Sequence, residues 1–271
     1  MRIRSYRKHK KKCLITGASG FIGVNLVFQL ADKYEIYGID VSYGDNIFGT
    51  KTEEYIKAAN IVYHLAALTN VNKSFKHSED FFITNVLGTA RIVELCVKYK
   101  KKLIYPSSAA VYHPELSPYA YTKKLAEDIV RGVGDKIPTV ILRLFNVYGQ
   151  DMNPNSGSIM YNFLKSKNII VYGDGEQTRD YINVKDVVSI MEDTIKKKWD
   201  GKVVEVGMGQ ATSTNYIAGL FAYYRNKKIE YKPPKREIRW SYADKKALSA
   251  IYRKPLISNL DRDIKEMYGN T

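Results

Sequence analysis

Residues Lys12 to Gly23 read KCLITGASGFIG: a short apolar run, three glycines at Gly17, Gly20 and Gly23, and the apolar start of a helical pattern. The run predicts a strand, a tight turn and a helix N-terminus shaped to hold a diphosphate. Gly17 lets the chain leave the strand at a backbone angle closed to residues with a Cβ, Gly20 lets the backbone approach a pyrophosphate, and Gly23 lets helix and strand pack closely. The anion would rest on unpaired N–H groups of the helix start. Seventeen residues past Gly23, after the strand-like run Glu35 to Ile39, stands Asp40, a carboxylate placed to accept hydrogen bonds from both ribose hydroxyls of an adenosine. An acid at that place favours NAD over NADP. A glycine triplet alone is weak evidence, since a glycine-rich turn after any strand looks similar. The strand before it, the helix after it and the acid beyond it make the assignment.

After Asp40 the connection is short and rich in turn residues, with Asp45 in the turn, and leads to a helix-like run Thr52 to Ala59 and a strand-like run Ile61 to Leu65. Glu79 to Lys98 is helical in pattern, but its apolar residues, among them Phe81, Phe82, Ile83, Val86, Leu87, Ile92 and Leu95, spread beyond one stripe. A helix of that kind is covered on two sides, by the sheet and by a second subunit, so a homodimer is expected. The strand Lys102 to Tyr105, the helix Tyr119 to Arg131 and the strand Thr139 to Leu144 continue an alternation that implies an α/β, doubly wound parallel (Rossmann) sheet with helices on both faces. Beyond Gly149 the pattern loosens. The expected division is a basic arm (1–12), an NAD-binding Rossmann domain (13–149) to which 180–207 returns with the strand Val203 to Val206, and a smaller substrate-binding lobe. Residues 150–179 and 208–271 form that lobe, closing over the carboxyl edge of the sheet.

With 271 residues, 45% of them hydrophobic, the chain can bury one large core or two unequal lobes. No segment is long and apolar enough to span a bilayer, and the basic start does not run into an unbroken apolar stretch, so neither a membrane partner nor a secretory signal is expected. Cys13 and Cys96 lack metal-ligand spacing and read as small buried side chains, which fits a cytoplasmic setting and no metal. Of the net charge of +15, Arg2, Arg4, Arg7, Lys8, Lys10, Lys11 and Lys12 supply +7 with no acid among them, leaving +8 for the rest. The remaining lysines are scattered over helix surfaces and turns, not interleaved with aromatics on one face, so a nucleic-acid partner is not expected.

A Tyr with a Lys four residues on puts both side chains on one helix face, where the ammonium can lower the phenol's pKa and make it a proton-transfer group. Eight such pairs occur, beginning at Tyr6, Tyr119, Tyr161, Tyr181, Tyr223, Tyr224, Tyr231 and Tyr242, so the spacing alone selects nothing. Context selects Tyr119 and Lys123. They open a helix that follows a core strand, just after Ser107 and Ser108 at that strand's carboxyl end, where ligands bind in such sheets.

Eight runs in order, TGASGFIG, HLAALTNV, NVLGT, SSAAVY, SPYAYTKKLAE, LRLFNVYG, GDGEQTRDYINVKDV and SYADKKAL, resemble the extended short-chain dehydrogenase/reductase family in its NAD-dependent nucleotide-sugar epimerase/dehydratase branch. The resemblance covers nearly all the chain after Lys12. It implies Tyr119 as catalytic base, Lys123 as the partner that also holds the nicotinamide ribose, and Ser108 as the hydrogen-bonding hydroxyl. It implies NAD contacts from Gly17, Gly20, Phe21, Ile22, Gly23, Asp40, Asp45 at the adenine, Ile47, Leu65, Ala66, Ala67, Asn85, Ser107, Tyr119, Lys123 and Phe145. Nucleotide-sugar substrate contacts are implied for Ser108, Asn146, Arg179 at the diphosphate, and Arg236, with Arg239 the alternative to Arg236. The structural alternative for Arg179 is a charge pair with Asp180 or a neighbouring acid.

Dehydratases and decarboxylases of the family tend to carry an acid beside the catalytic Ser/Thr; here those places hold Ala109 and Ala110. SSAAVY is also similar to the ADP-heptose 6-epimerases, but those prefer NADP, which Asp40 disfavours. The resemblance therefore implies an isomerase, a UDP-sugar 4-epimerase that works through a transient keto-sugar. A dehydratase or reductase, and a non-catalytic NAD-binding scaffold, are the other readings. Three segments depart from the family: the short connection from Asp40 to Asp45, the near loss of the loop between Tyr112 and Tyr119, where His113 and Pro114 replace the usual glycine, and the shortened PPKREIRW run. The second implies a more open sugar pocket or a different sugar.

Overall fold

The structure is a computed structural model that describes residues 10–150, 152, 154–235 and 237–269. Residues 1–9 of the basic arm, and Arg236, lie outside the described residues. The first half of the chain runs β1 (Lys12–Thr16), α1 (Phe21–Leu30), β2 (Glu35–Ile39), α2 (Thr50–Ala58), β3 (Ile61–His64), α3 (Val71–Ser74), α4 (Ser78–Phe81), α5 (Gly88–Lys98), β4 (Lys102–Ser108), α6 (Pro118–Arg131) and β5 (Thr139–Leu144). The second half runs β6 (Asn146–Tyr148), α7 (Ile159–Lys165), β7 (Ile169–Tyr172), β8 (Thr178–Arg179), β9 (Tyr181–Asn183), α8 (Val184–Asp193), β10 (Lys202–Val206), β11 (Thr212–Ser213), α9 (Thr214–Arg225), β12 (Ile229–Lys232), β13 (Trp240–Ser241), α10 (Lys246–Ile251) and α11 (Leu260–Gly269).

Six strands form one parallel sheet in the order β10-β5-β4-β3-β1-β2. The inner strands are near-continuous apolar runs because both faces of a parallel sheet are covered; β3, IVYH, is buried at every residue. One core joins the sheet to α1 and α8 through Leu26, Leu30, Val187, Val188 and Met191. The other joins it to α2, α5 and α6 through Ile56, Ile92, Cys96, Ala126 and Val130. Strand order reverses between β1 and β3, and the crevice at the carboxyl ends of strands on either side of such a reversal is where open α/β sheets bind ligands.

A third core, including Tyr148, Phe163, Ile169, Ile217, Phe221 and Ile264, gathers α7, α9, α11 and the β7–β12 pair beside the sheet. Within 208–271, expected in the smaller lobe, Leu248 and Tyr252 instead join the first core beside the sheet. The helix expected over Glu79 to Lys98 is present but not uniform. Between α4 and α5, residues Phe82–Leu87 form a π-helix, with hydrogen bonds one residue longer than in an α-helix. The longer register turns the face that follows, so the buried residues on either side of it do not keep to one stripe. Phe81, Val86 and Ile92 are buried, whereas Phe82, Ile83 and Leu87 are 43%, 40% and 46% exposed.

Candidate active site

The glycine turn is a cradle that a Cβ would fill. Gly17 has φ +71°, and a Cβ there would stand 2.7 Å from the Ala66 nitrogen; at Gly23 it would stand 2.1 Å from the Gly17 carbonyl oxygen. The first helical hydrogen bond of α1 runs from Val24 to Gly20, so the N–H groups of Phe21, Ile22 and Gly23 precede the helical ladder and suit an anion. Asp40 ties this turn to the end of β2, its carboxylate accepting from the backbone N–H groups of Ser19 and Ser42, each at 3.0 Å. Burial pushes the Asp40 carboxyl up, but these bonds outweigh it and hold it below the usual carboxylate range.

A cavity of about 670 Å³ opens at the carboxyl edge of the sheet, its wall including Gly17, Ser108, Tyr119, Lys123, Asn146 and Arg179. Gly20, Phe21, Ile22, Gly23, Leu65, Ala67, Ser107 and Phe145 also line it. Asp40, Asp45, Ile47, Ala66 and Asn85 lie outside that wall. Asp45 is paired with Lys51 at 2.7 Å, and Ile47 is buried against Gly88. Asn85 is spent on structure: its carboxamide accepts from the Leu68 N–H (2.8 Å) and donates to the Leu68 carbonyl (3.0 Å) and the Thr122 hydroxyl (3.1 Å). It thereby fixes the loop after β3, whose Leu65 and Ala67 face the cavity.

Helix α6 delivers Tyr119 and Lys123. Ser117 caps it, accepting from Ala120 N–H at 3.1 Å, and Pro118 supplies a first-turn residue with no N–H to satisfy. Lys123 is 4% exposed; its ammonium donates to the Pro106 carbonyl at 2.8 Å and lies 4.3 Å from the centre of the Tyr105 ring. Burial draws its pKa down to about 7, against the opposing charge of Glu127. Burial pushes the Tyr119 phenol up, and the nearby Ser108 hydroxyl offsets part of this. The Ser108 hydroxyl also accepts from Ala110 N–H at 3.1 Å.

Behind the trio stands His64, which sequence reasoning did not single out. Its Nδ1 is 2.7 Å from the Thr16 hydroxyl and its Nε2 is 3.1 Å from the Thr89 hydroxyl. Thr89 donates to the Asn85 carbonyl at 2.6 Å, so it accepts from Nε2–H, and Thr16 donates to Nδ1. Burial holds His64 neutral, with its pKa near 3. Its signal in the sequence was a polar residue at the end of an otherwise apolar strand.

Arg179 lines the cavity and makes a charge pair, with the neighbouring acid Glu237 and not with Asp180. It donates to the Glu237 carboxylate at 2.7 Å and to the carbonyls of Thr178 and Ile238 at 2.9 and 2.8 Å. Asp180, fully buried, instead accepts the N–H groups of Met208, Gly209 and Ala243. Arg239 pairs with Asp174 at 2.8 Å. Among the described residues of the cavity wall, Glu237 is the sole carboxylate, and Ala109 and Ala110 stand beside Ser108. No group of three or more His, Cys, Asp or Glu among the described residues is placed to hold a metal, and no described helix is long and apolar enough to cross a membrane.

The model of the NAD dependent epimerase/dehydratase family matches residues 13–207. The chain belongs to that family. A putative UDP-glucose 4-epimerase of Methanocaldococcus jannaschii is 30% identical, the match covering 93% of this chain and 94% of that protein. A UDP-N-acetyl-alpha-D-glucosaminuronate decarboxylase of Bacillus cytotoxicus is 28% identical over 77% of this chain and 78% of its own length. The structure is also similar to the UDP-glucuronic acid 4-epimerase of Bacillus cereus, solved with UDP-glucuronic acid and NAD, at a TM-score of 0.86 and 26% identity over 95% of this chain and 98% of that one. The NAD dependent epimerase/dehydratase family takes NAD as cofactor, and the glycine cradle with its helix N-terminus fits the group's diphosphate. In this family member Gly17, Gly20 and the start of α1 would hold it.

Proposed function

We propose that this family member is an NAD-dependent 4-epimerase of a UDP-sugar. The observation that carries the reading is a cavity wall with Ser108, Tyr119 and Lys123 complete and alanines, not acids, beside the serine. Dehydration and decarboxylation need further proton transfers, and the two places beside Ser108 where such an acid would stand hold Ala109 and Ala110. Bound NAD supplies a reversible hydride acceptor, so the sugar is oxidised and reduced with no net change of cofactor. Tyr119 Oη takes and returns the sugar hydroxyl proton, Ser108 holds that hydroxyl, and the Lys123 ammonium favours the tyrosinate. Arg179 exchanges the Glu237 carboxylate for the substrate diphosphate, which its planar fork of donors suits. Asn146 and Phe145 face the sugar and the nicotinamide end.

The half-exposed Phe82, Ile83 and Leu87 are the face on which a second copy packs, giving a homodimer. The two buried thiols, both raised to about 12 by burial, fit a reducing cytoplasm. Incubating the purified protein with UDP-, GDP-, dTDP- and ADP-sugars and reading products by NMR tests the proposal. A UDP-sugar and its C4 epimer should interconvert without loss of water or carbon dioxide; a product lighter by either sinks it.

A further inference from the structure

We propose that Glu127 is the positioning residue of this site, fixing both the place and the protonation of Lys123 through the end of β4. The inference rests on the reading of Ser108, Tyr119 and Lys123 as the working trio. Glu127 is 0% exposed and lies one helical turn beyond Lys123 on α6. Two consecutive residues of β4, just before Ser108, tie the two together: Lys123 donates to the Pro106 carbonyl at 2.8 Å, and the Ser107 hydroxyl donates to Glu127 Oε2 at 2.7 Å. Ser107, expected to touch cofactor, therefore has its hydroxyl turned onto Glu127.

The carboxylate is held in turn from β5. Arg143, the register partner of Ser107, donates to Glu127 Oε1 at 2.7 Å through Nη2 and to Oε2 at 3.2 Å through Nε, while Arg131 donates to Oε1 at 3.0 Å. Arg143 also donates to the Tyr112 hydroxyl at 2.6 Å, and that hydroxyl donates to Glu205, which accepts the Asp244 backbone N–H at 2.7 Å. One buried carboxylate thus faces the cations Lys123, Arg131 and Arg143. The other groups facing Lys123 are Tyr119 on its own helix, the Tyr105 ring on β4 and neutral His64 on β3. A carboxylate one turn away favours the ammonium. Its loss must let the Lys123 proton leave at lower pH.

Carbon-13 lysine NMR of the NAD-loaded, full-length protein, with Lys123 assigned by its disappearance in Lys123→Arg, reads this without needing turnover. In Glu127→Gln the Lys123 midpoint should fall by roughly one pH unit. Ser107→Ala keeps the charge and loses only the tether. Its midpoint should stay with the parent's, while kcat falls about tenfold at unchanged KM for the nucleotide sugar. Removing one partner of a buried pair threatens the fold, so Glu127→Asp, which keeps the charge and shortens the reach, stands beside Glu127→Gln and should reproduce Ser107→Ala. A Lys123 midpoint unmoved in Glu127→Gln, or parental kcat in Ser107→Ala and Glu127→Asp, overturns the assignment. A shifted midpoint in a protein that turns over no nucleotide sugar supports the role of Glu127 and sinks the epimerase reading instead.

Discussion

Tyr119 and His64 make two residue-level claims that separate chemistry from fold. Tyr119→Phe keeps the ring that meets Phe81 edge-on, with centroids 6.5 Å apart, and removes only the hydroxyl. Turnover should fall by at least about a hundredfold, the loss ordinary for a general base, while bound NAD measured by absorbance stays at the parent's level. His64 bears on stability. Its folded pKa, about 3, lies below its unfolded value near 6.5, so between these limits the unfolded chain binds more protons and stability falls as pH falls. Relative to His64→Asn, the parent should lose on the order of 5 kcal/mol across that window in denaturant titrations. Equal losses in both proteins would contradict a buried neutral histidine. Neither residue was equally legible in the sequence: Tyr119 was chosen because it opens the helix after a serine-tipped core strand, whereas nothing in the run HLAALTNV told a ligand-facing histidine from one clasped by Thr16 and Thr89.

At the scale of elements, the glycine turn and the π-segment carry opposite lessons. The turn follows from local sterics, so the sequence showed it directly. Gly17→Ala forces a Cβ into the Ala66 backbone at a positive φ, and the expected outcome is a protein purified without NAD. The π-segment depends on what surrounds it. Its Asn85 satisfies both hydrogen-bonding directions of Leu68 and reaches Thr122 on α6, and only tertiary contacts single out that register over an α-helix. Asn85→Ala removes the side-chain partner of the partly buried Leu68 N–H and carbonyl and should cost about 1 kcal/mol in denaturant unfolding, with weaker retention of NAD, since the loop it fixes lines the cavity. The apolar overflow of residues 79–98 was visible in the sequence, but the change of helical register within it was not.

At the scale of the whole molecule, the doubly wound sheet was legible because both of its faces are covered and its inner strands are near-continuous apolar runs. The packing of Leu248 and Tyr252 on the sheet was not, since a contact with strands far away in the sequence leaves no local signal. The pairing of Arg179 with Glu237 was likewise hidden, the two lying 58 residues apart. Arg179→Ala should raise KM for the nucleotide sugar at least about tenfold with a smaller change in kcat, the mark of an interaction used in binding. Charged residues at Phe82, Ile83 and Leu87 should convert the proposed dimer to a monomer by light scattering. The central claim, interconversion at C4 of a UDP-sugar with NAD regenerated, is tested most directly by one NMR time course of the parent protein on a UDP-sugar in deuterated water. The account predicts growth of the C4 epimer to equilibrium, with no deuterium entering at carbon because the hydride returns from the cofactor. Deuterium at C4, or a dehydrated or decarboxylated product, would contradict it.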